Sequence, residues 1–173
     1  TPEDLRVEYL TDPMGVDKPK PRLSWILTSS ERGQCQTAYQ ALVASSPEIL
    51  SEDRGDLWDS GKVESGQTTH VAYGGVKLAS RQMCWWKVRA WDRDGKASPY
   101  SEPAQWSMGL LEPGDWRAQW ISGELSPENK PPEPGKEPKG GKLDSEVQFI
   151  PSPHLRKEFE ANAPIARATA YVT

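Results

Sequence analysis

The residues most able to do chemistry in this chain are its carboxylates, and they are placed poorly for it. Acid–base hydrolysis needs two carboxyl groups facing each other across a cleft. Asp56 with Asp59, Asp92 with Asp94, and Glu124 with Glu128 are the pairs close in sequence. All three fall in turns or in a Pro/Gly-rich stretch, where Asp and Glu serve the backbone, so none is assigned a catalytic role. His70 and His154 are the only histidines. Neither has a Cys or a second His at metal-ligand spacing, and both read as surface or hydrogen-bonded side chains. Gly74-Gly75 and Gly140-Gly141 read as turns rather than phosphate cradles. Ser29-Ser30 and Ser45-Ser46 have no base beside them in sequence. No metal and no cofactor is expected.

A different chemistry is written in Met83-Cys84-Trp85-Trp86-Lys87-Val88-Arg89-Ala90-Trp91-Asp92. Side chains alternate across a strand, so Cys84, Trp86, Val88 and Ala90 share an apolar face suited to a core. Trp85, Lys87, Arg89 and Trp91 share the other. Tryptophan interleaved with long cations can form a stacked cation–π ladder. Such a face can hold a sugar ring, or it can support the sandwich or pack against a neighbouring domain; the packing role is the simpler reading. Trp58, Trp106, Trp116 and Trp120 read as core or domain-junction residues.

The elements that would position this face are short and β-rich. Strands are expected at residues 5–9, 22–27, 36–45, 57–60, 68–73, from 83 onward, and 105–108. Between them lie turn residues: Asp12-Pro13, Arg32-Gly33, Arg54-Gly55, Gly74-Gly75 and Asp94-Gly95. In the third strand Ala38, Gln40, Leu42 and Ala44 fall on one face and Tyr39, Ala41 and Val43 on the other. Regular short strands with this punctuation indicate a β-sandwich. Residues 47–50 can form a helical turn capped by Ser46. Cys35 and Cys84 start neighbouring antiparallel strands, which sets them roughly 20–25 Å apart at about 3.3 Å per residue, beyond disulfide reach. Both are expected to be free thiols, with Cys84 buried.

The chain has 173 residues, of which 35% are hydrophobic, with a mean hydropathy of −0.75. Sixteen Pro and fourteen Gly lower that figure, while eight Trp supply large buried areas. A net charge of −4 argues against a nucleic-acid partner. No run of 18 apolar residues is present to span a membrane. Thr1-Pro2-Glu3-Asp4 lacks the basic-then-apolar pattern of a signal peptide. Near residue 116 a second unit begins. Residues 116–121 alternate as a strand, residues 122–146 form a Pro/Gly/Lys-rich loop unable to bury apolar surface, and residues 155–159 and 166–172 read as two further strands. Two or three strands do not make a stable sandwich, so this second domain is expected to be incomplete.

Several segments occur together in a telling order. They are Leu5-Arg6-Val7-Glu8-Tyr9, Asp12-Pro13-Met14-Gly15-Val16-Asp17, Pro21-Arg22-Leu23-Ser24-Trp25, Arg32-Gly33-Gln34-Cys35-Gln36-Thr37-Ala38-Tyr39 and Val43-Ala44-Ser45-Ser46. Gly55-Asp56-Leu57-Trp58-Asp59-Ser60-Gly61-Lys62-Val63, Trp86-Lys87-Val88-Arg89-Ala90-Trp91-Asp92, Asp115-Trp116, Trp120-Ile121 and Leu155-Arg156-Lys157-Glu158-Phe159 follow. Together they resemble the N-terminal region of the bacterial-type α-L-rhamnosidases, glycoside hydrolase family 78. The 122–146 insertion is longer than the resemblance leads one to expect.

The resemblance implies an all-β chain: a fibronectin-III/immunoglobulin-like β-sandwich over residues 1–112, then the start of a jelly-roll-like β-domain over residues 113–173. It implies a larger enzyme whose helical α/α barrel carries the catalytic acids and removes terminal α-L-rhamnose with inversion. No position here matches those acids. The implied partners are the remainder of the same enzyme and a rhamnose-containing carbohydrate, with no nucleic acid and no membrane. An extracellular or periplasmic location is favoured. A stand-alone carbohydrate-binding module and a plain structural or interaction module are the alternatives.

Overall fold

In the computed structural model, which describes residues 1–119 and positions 156, 158, 160, 162, 164, 165, 168, 169 and 170, the alternation is realised as eight strands. In chain order they are β1 (Pro2–Val7), β2 (Arg22–Leu27), β3 (Ala38–Ala44), β4 (Trp58–Asp59), β5 (Val63–Glu64), β6 (Val71–Ala72), β7 (Met83–Trp91) and β8 (Ala104–Ser107). One short helix, α1 (Pro47–Ser51), follows β3. The strands form two antiparallel sheets, β1-β2-β6 and β4-β3-β7-β8, with β5 also paired to β3. Consecutive strands β2 and β3 lie in opposite sheets, the crossing that makes an immunoglobulin-like sandwich rather than a meander.

The core lies between the sheets. Leu5, Val7, Leu23, Trp25 and Val71 face it from one side, and Tyr39, Ala41, Val43, Cys84, Trp86, Val88 and Trp106 from the other. Trp25, Trp86 and Trp106 are the largest side chains shut away from solvent. Trp106 Nε1 donates to Met108 Sδ at 3.2 Å, while the buried Trp86 Nε1 has no hydrogen-bond partner among the described residues. Trp25 Nε1 donates to Gln36 Oε1 at 3.1 Å, and Gln36 Nε2 donates in turn to the Ser65 and Gln67 carbonyls. An edge-to-face contact of 5.2 Å joins Trp25 to Tyr39 across the sandwich.

The sheet edges are blunted. Residues 12–16 run along β8: Ser107 N donates to Pro13 O, Val16 N to Ser107 O, and Gln105 N to Asp12 Oδ1. This occupies groups that would otherwise template strand addition. On the other sheet, β1 shifts register between Glu3 and Arg6, with Asp4 at φ 48°, a bulge that interrupts its ladder.

Several elements differ from expectation. β1 ends at Val7 rather than Tyr9, because Glu8 (φ 49°) and Tyr9 (φ 71°) turn left-handed and Val7 closes onto Leu10. The strand expected over residues 68–73 shrinks to β6. There His70 (φ 56°) breaks the ladder, and its N–H goes to Ser24 Oγ instead of a carbonyl. β5 was not anticipated. Residues 116–119, expected to open a strand, carry none; a short 3-10 turn, Pro113–Asp115, precedes them. Both cysteines are free, Cys84 buried and Cys35 exposed.

The chain divides into two compact units, Thr1–Arg117 and Ala118–Thr173. In the second, the described residues are all exposed. Trp120, the 122–146 loop with Glu124, Glu128 and Gly140-Gly141, and His154 lie outside the described residues. So do the 155–159 and 166–172 strands, apart from isolated exposed positions.

Candidate functional site

The outer face of the five-stranded sheet is set by the β3–β7 register, which places Ala38 opposite Trp91, Gln40 opposite Arg89, Leu42 opposite Lys87 and Ala44 opposite Trp85. At one end α1 closes over this face. Ser46 caps the helix, its Oγ accepting from Ile49 N. Leu50, 1% exposed, packs on Leu42 and Ala44, with Ile49, Trp85 and Tyr100 around them. Trp85 is thereby drawn into packing rather than into the cation ladder.

At the other end the ladder forms with a different membership. Arg89 lies between two rings, its guanidinium carbon 5.0 Å from the Trp91 centroid and 4.8 Å from that of Tyr100. Lys62 Nζ stands 5.3 Å from the Trp91 centroid, and Lys87 Nζ 4.8 Å from that of Tyr100. The order is Lys62, Trp91, Arg89, Tyr100, Lys87. Hydrogen bonds lock the middle: Arg89 Nε and Nη2 donate to Gln40 Oε1 at 3.0 and 2.7 Å, and Tyr100 Oη donates to it at 3.2 Å. Gln40 Nε2 donates to Asp59 Oδ1 at 2.7 Å. Lys87 is itself buried, 7% exposed, and is ion-paired to Asp53 at the end of α1. Of the four residues expected here, the structure brings Lys87, Arg89 and Trp91 into one stack. It adds Lys62, Tyr100 and Gln40, which sequence periodicity cannot bring to β7.

Trp91 also borders a cleft of about 310 Å³ between the β2–β3 connection and the β7–β8 connection, with Gln34, Cys35, Asp92 and Lys96 among its lining residues. No periodic signal points to it, because connections distant in sequence make it.

Of the carboxylates paired in sequence, Asp56, Asp59 and Asp92 serve the backbone, while Asp94 pairs with Arg93 at 3.6 Å. Asp56 accepts from Ser45 N at 2.8 Å and Ser45 Oγ at 2.6 Å. Burial pushes its carboxyl up, but the Ser45 bonds outweigh that and hold it below the usual range. Asp59 accepts from Gly61 N, and Asp92 Oδ1 from Asp94 N and Lys96 N. His70 is exposed and meets Tyr9 edge-on at 5.1 Å. Among the described residues no three His, Cys, Asp or Glu side chains gather to hold a metal, and no helix is long and apolar enough to cross a membrane.

The two packed antiparallel sheets define an immunoglobulin-like module, and comparison with known proteins places it more closely. Residues 2–112 match the domain family described as the Rha78A-like, N-terminal immunoglobulin domain, and the chain belongs to that family. An α-L-rhamnosidase of Formosa agariphila is 40% identical over 167 residues, which is 96% of this chain and 17% of that protein. The structure of an α-L-rhamnosidase from Dictyoglumus thermophilum superposes with a TM-score of 0.69 at 41% identity, over 71% of this chain and 14% of the other. That of Streptomyces avermitilis α-L-rhamnosidase complexed with L-rhamnose gives 0.68 at 45% identity, over 71% and 12%. The chain spans between 11% and 18% of the length of the curated relatives it matches.

Proposed function

We propose that this chain is the non-catalytic N-terminal portion of an α-L-rhamnosidase, a glycoside hydrolase that removes terminal α-L-rhamnose by inverting hydrolysis. The single observation that carries the reading is the match over residues 2–112 to the N-terminal immunoglobulin domain of such enzymes. In an inverting enzyme one carboxylic acid protonates the leaving oxygen while a second carboxylate activates a water. Asp56, Asp59 and Asp92 accept from backbone N–H groups and Asp94 pairs with Arg93, and the paired acids belong to polypeptide beyond this chain. The sandwich is a scaffold that packs on the rest of the enzyme. The second unit, from Ala118 onward, begins a jelly-roll-like domain, and the enzyme works outside the cytoplasm on rhamnose-bearing carbohydrate. A packing role for the Arg89 face is better supported than a sugar platform, because Trp85 lies against α1 and the Trp91 ring already carries two cations.

The test is an assay of the full-length polypeptide and of residues 1–173 on an aryl α-L-rhamnoside, with the first-formed anomer read by proton NMR. The full-length protein is expected to release β-L-rhamnose and the 173-residue chain to release none. An inactive full-length protein, or turnover by the short chain, contradicts the proposal.

A further inference from the structure

We infer that Arg89 is a preorganised receptor for a carboxylate, and that its occupant is an acidic side chain from elsewhere in the same polypeptide. The inference rests on the reading that this chain belongs to a larger enzyme. Three cations mark the outer face of the β3–β7 pair, and two of them have carboxylate partners. Lys62 pairs with Glu64 at 2.7 Å, and Lys87 pairs with Asp53. Arg89 differs: among the described residues its hydrogen-bond partner is a neutral amide oxygen, Gln40 Oε1, and its remaining contacts are the faces of Trp91 and Tyr100. Asp59 stands one step away, bound to the other end of the same amide.

A partly buried charge is ordinarily paired, and this one is held ready for a partner. Two rings fix the guanidinium plane, and the bonds from Nε and Nη2 fix its rotation within that plane. The Gln40–Asp59 bond in turn fixes Gln40. What remains is the outer edge, with Nη1 and the second hydrogen of Nη2. That edge presents two parallel N–H donors, the fork that matches a carboxylate bidentately. A receptor immobilised before binding loses little side-chain freedom when the partner arrives. Its surroundings have the composition of an interface hot spot, Trp and Tyr about an Arg. Charge complementarity therefore selects an Asp or Glu as the occupant.

The experiment uses the natural full-length polypeptide carrying Arg89→Lys. A water-soluble carbodiimide joins an amine to a carboxylate it touches, and the product is mapped by peptide mass. The expected result is a cross-link from position 89 to an Asp or Glu beyond residue 173, weakened by high salt. Cross-linking to Asp59 or Glu64 alone, or none, overturns the inference. Methyl β-D-glucuronide is titrated into the wild type and an Arg89→Met variant as a second arm. Binding that needs Arg89 and suppresses the cross-link assigns the receptor to a sugar carboxylate and overturns the domain contact. Failure of the parent reading is separable. A natural polypeptide near 19.3 kDa without rhamnosidase activity sinks both, whereas a large active enzyme lacking the cross-link sinks this inference alone.

Discussion

Gly75 has no room for a side chain. A Cβ there would stand 2.1 Å from Leu57 O and 2.5 Å from the Tyr73 hydroxyl. That hydroxyl itself lies within hydrogen-bond distance of the Leu57 and Val76 carbonyls, so the obstacle is backbone already pinned in place. Gly75→Ala is expected to cost about 1–3 kcal/mol, as overpacking does, seen as a lower urea midpoint at unchanged m-value; an unchanged midpoint refutes it. The two thiols should behave oppositely. Cys35 is exposed, whereas burial pushes the Cys84 thiol up to about 12, with the Asp56 charge adding to the effect. At pH 8 one thiol per native chain should react promptly with Ellman's reagent and the second only after unfolding; two prompt thiols contradict the buried placement. The same burial, with smaller pushes from Cys84 and Asp56, raises the Tyr73 phenol to about 12. The sign follows directly. Unfolding lets both groups ionise at their ordinary values of 9.0 and 10.0, so above about pH 9 the unfolded state holds fewer protons than the native one. Stability then falls as pH rises from about 9 toward about 12, and flat midpoints between pH 8 and pH 11 would count against it.

At the scale of elements, α1 shows how a five-residue helix persists. Isolated helices this short are not stable in water, so its contacts must hold it. Leu50 is fully buried against Leu42 and Ala44, while the Ser46 cap accepts from Ile49 N at 3.4 Å, a long bond. Leu50→Ala should cost about 2–5 kcal/mol and Ser46→Ala about 0.5–1 kcal/mol, ranked by urea unfolding; the reverse order would show that capping governs this segment. The helix, its Ser46 cap and the β2, β3 and β7 strands were legible in the sequence, because each rests on a local pattern: a Ser before Pro47, or apolar residues every second position. What escaped depends on distant chain. β1 and the 68–73 strand were overextended because Glu8, Tyr9 and His70 adopt positive φ, which no glycine announces. Alternation placed Trp85, Lys87, Arg89 and Trp91 on one face correctly, but it carries no information about what covers a face. Hence Trp85 goes to α1, while Arg89 takes its second ring from Tyr100 and its hydrogen bonds from Gln40. Asp56, Asp59 and Asp92 all bond to nearby backbone N–H groups, as their turn positions lead one to expect.

At the scale of the whole molecule, the first unit does not end with its last strand. After β8 the chain runs on as part of the sandwich. Gly109 N donates to Val16 O at 2.7 Å, Arg81 N to Gly109 O at 3.0 Å, and Leu111 N to Ser80 Oγ at 2.8 Å. Leu111 packs against the core from its margin. Ser80 Oγ then donates to Asp115 Oδ2, Arg81 Nη2 reaches Asp115 O, and Lys77 pairs with Glu112. The loop entering β7 thus grips the segment that leaves β8, and the Ser80 hydrogen bond holds the Asp115 carboxyl below its usual range. Residues 109–117 therefore belong thermodynamically to the sandwich. A chain ended at Arg117 should unfold in one cooperative transition, and one ended at Met108 should unfold at lower urea. The two backbone amide bonds from Gly109 and Leu111 alone are worth about 1 kcal/mol each, and lost Leu111 packing adds to that. The gap between the two chains should narrow in acid. A carboxyl whose native pKa lies below its ordinary value stabilises the fold above that value and ceases to do so as pH falls through the native one, and Met108-ended protein has no Asp115 to protonate. Equal midpoints for the two chains at neutral pH would mean that residues 109–117 merely lie on the sandwich without stabilising it.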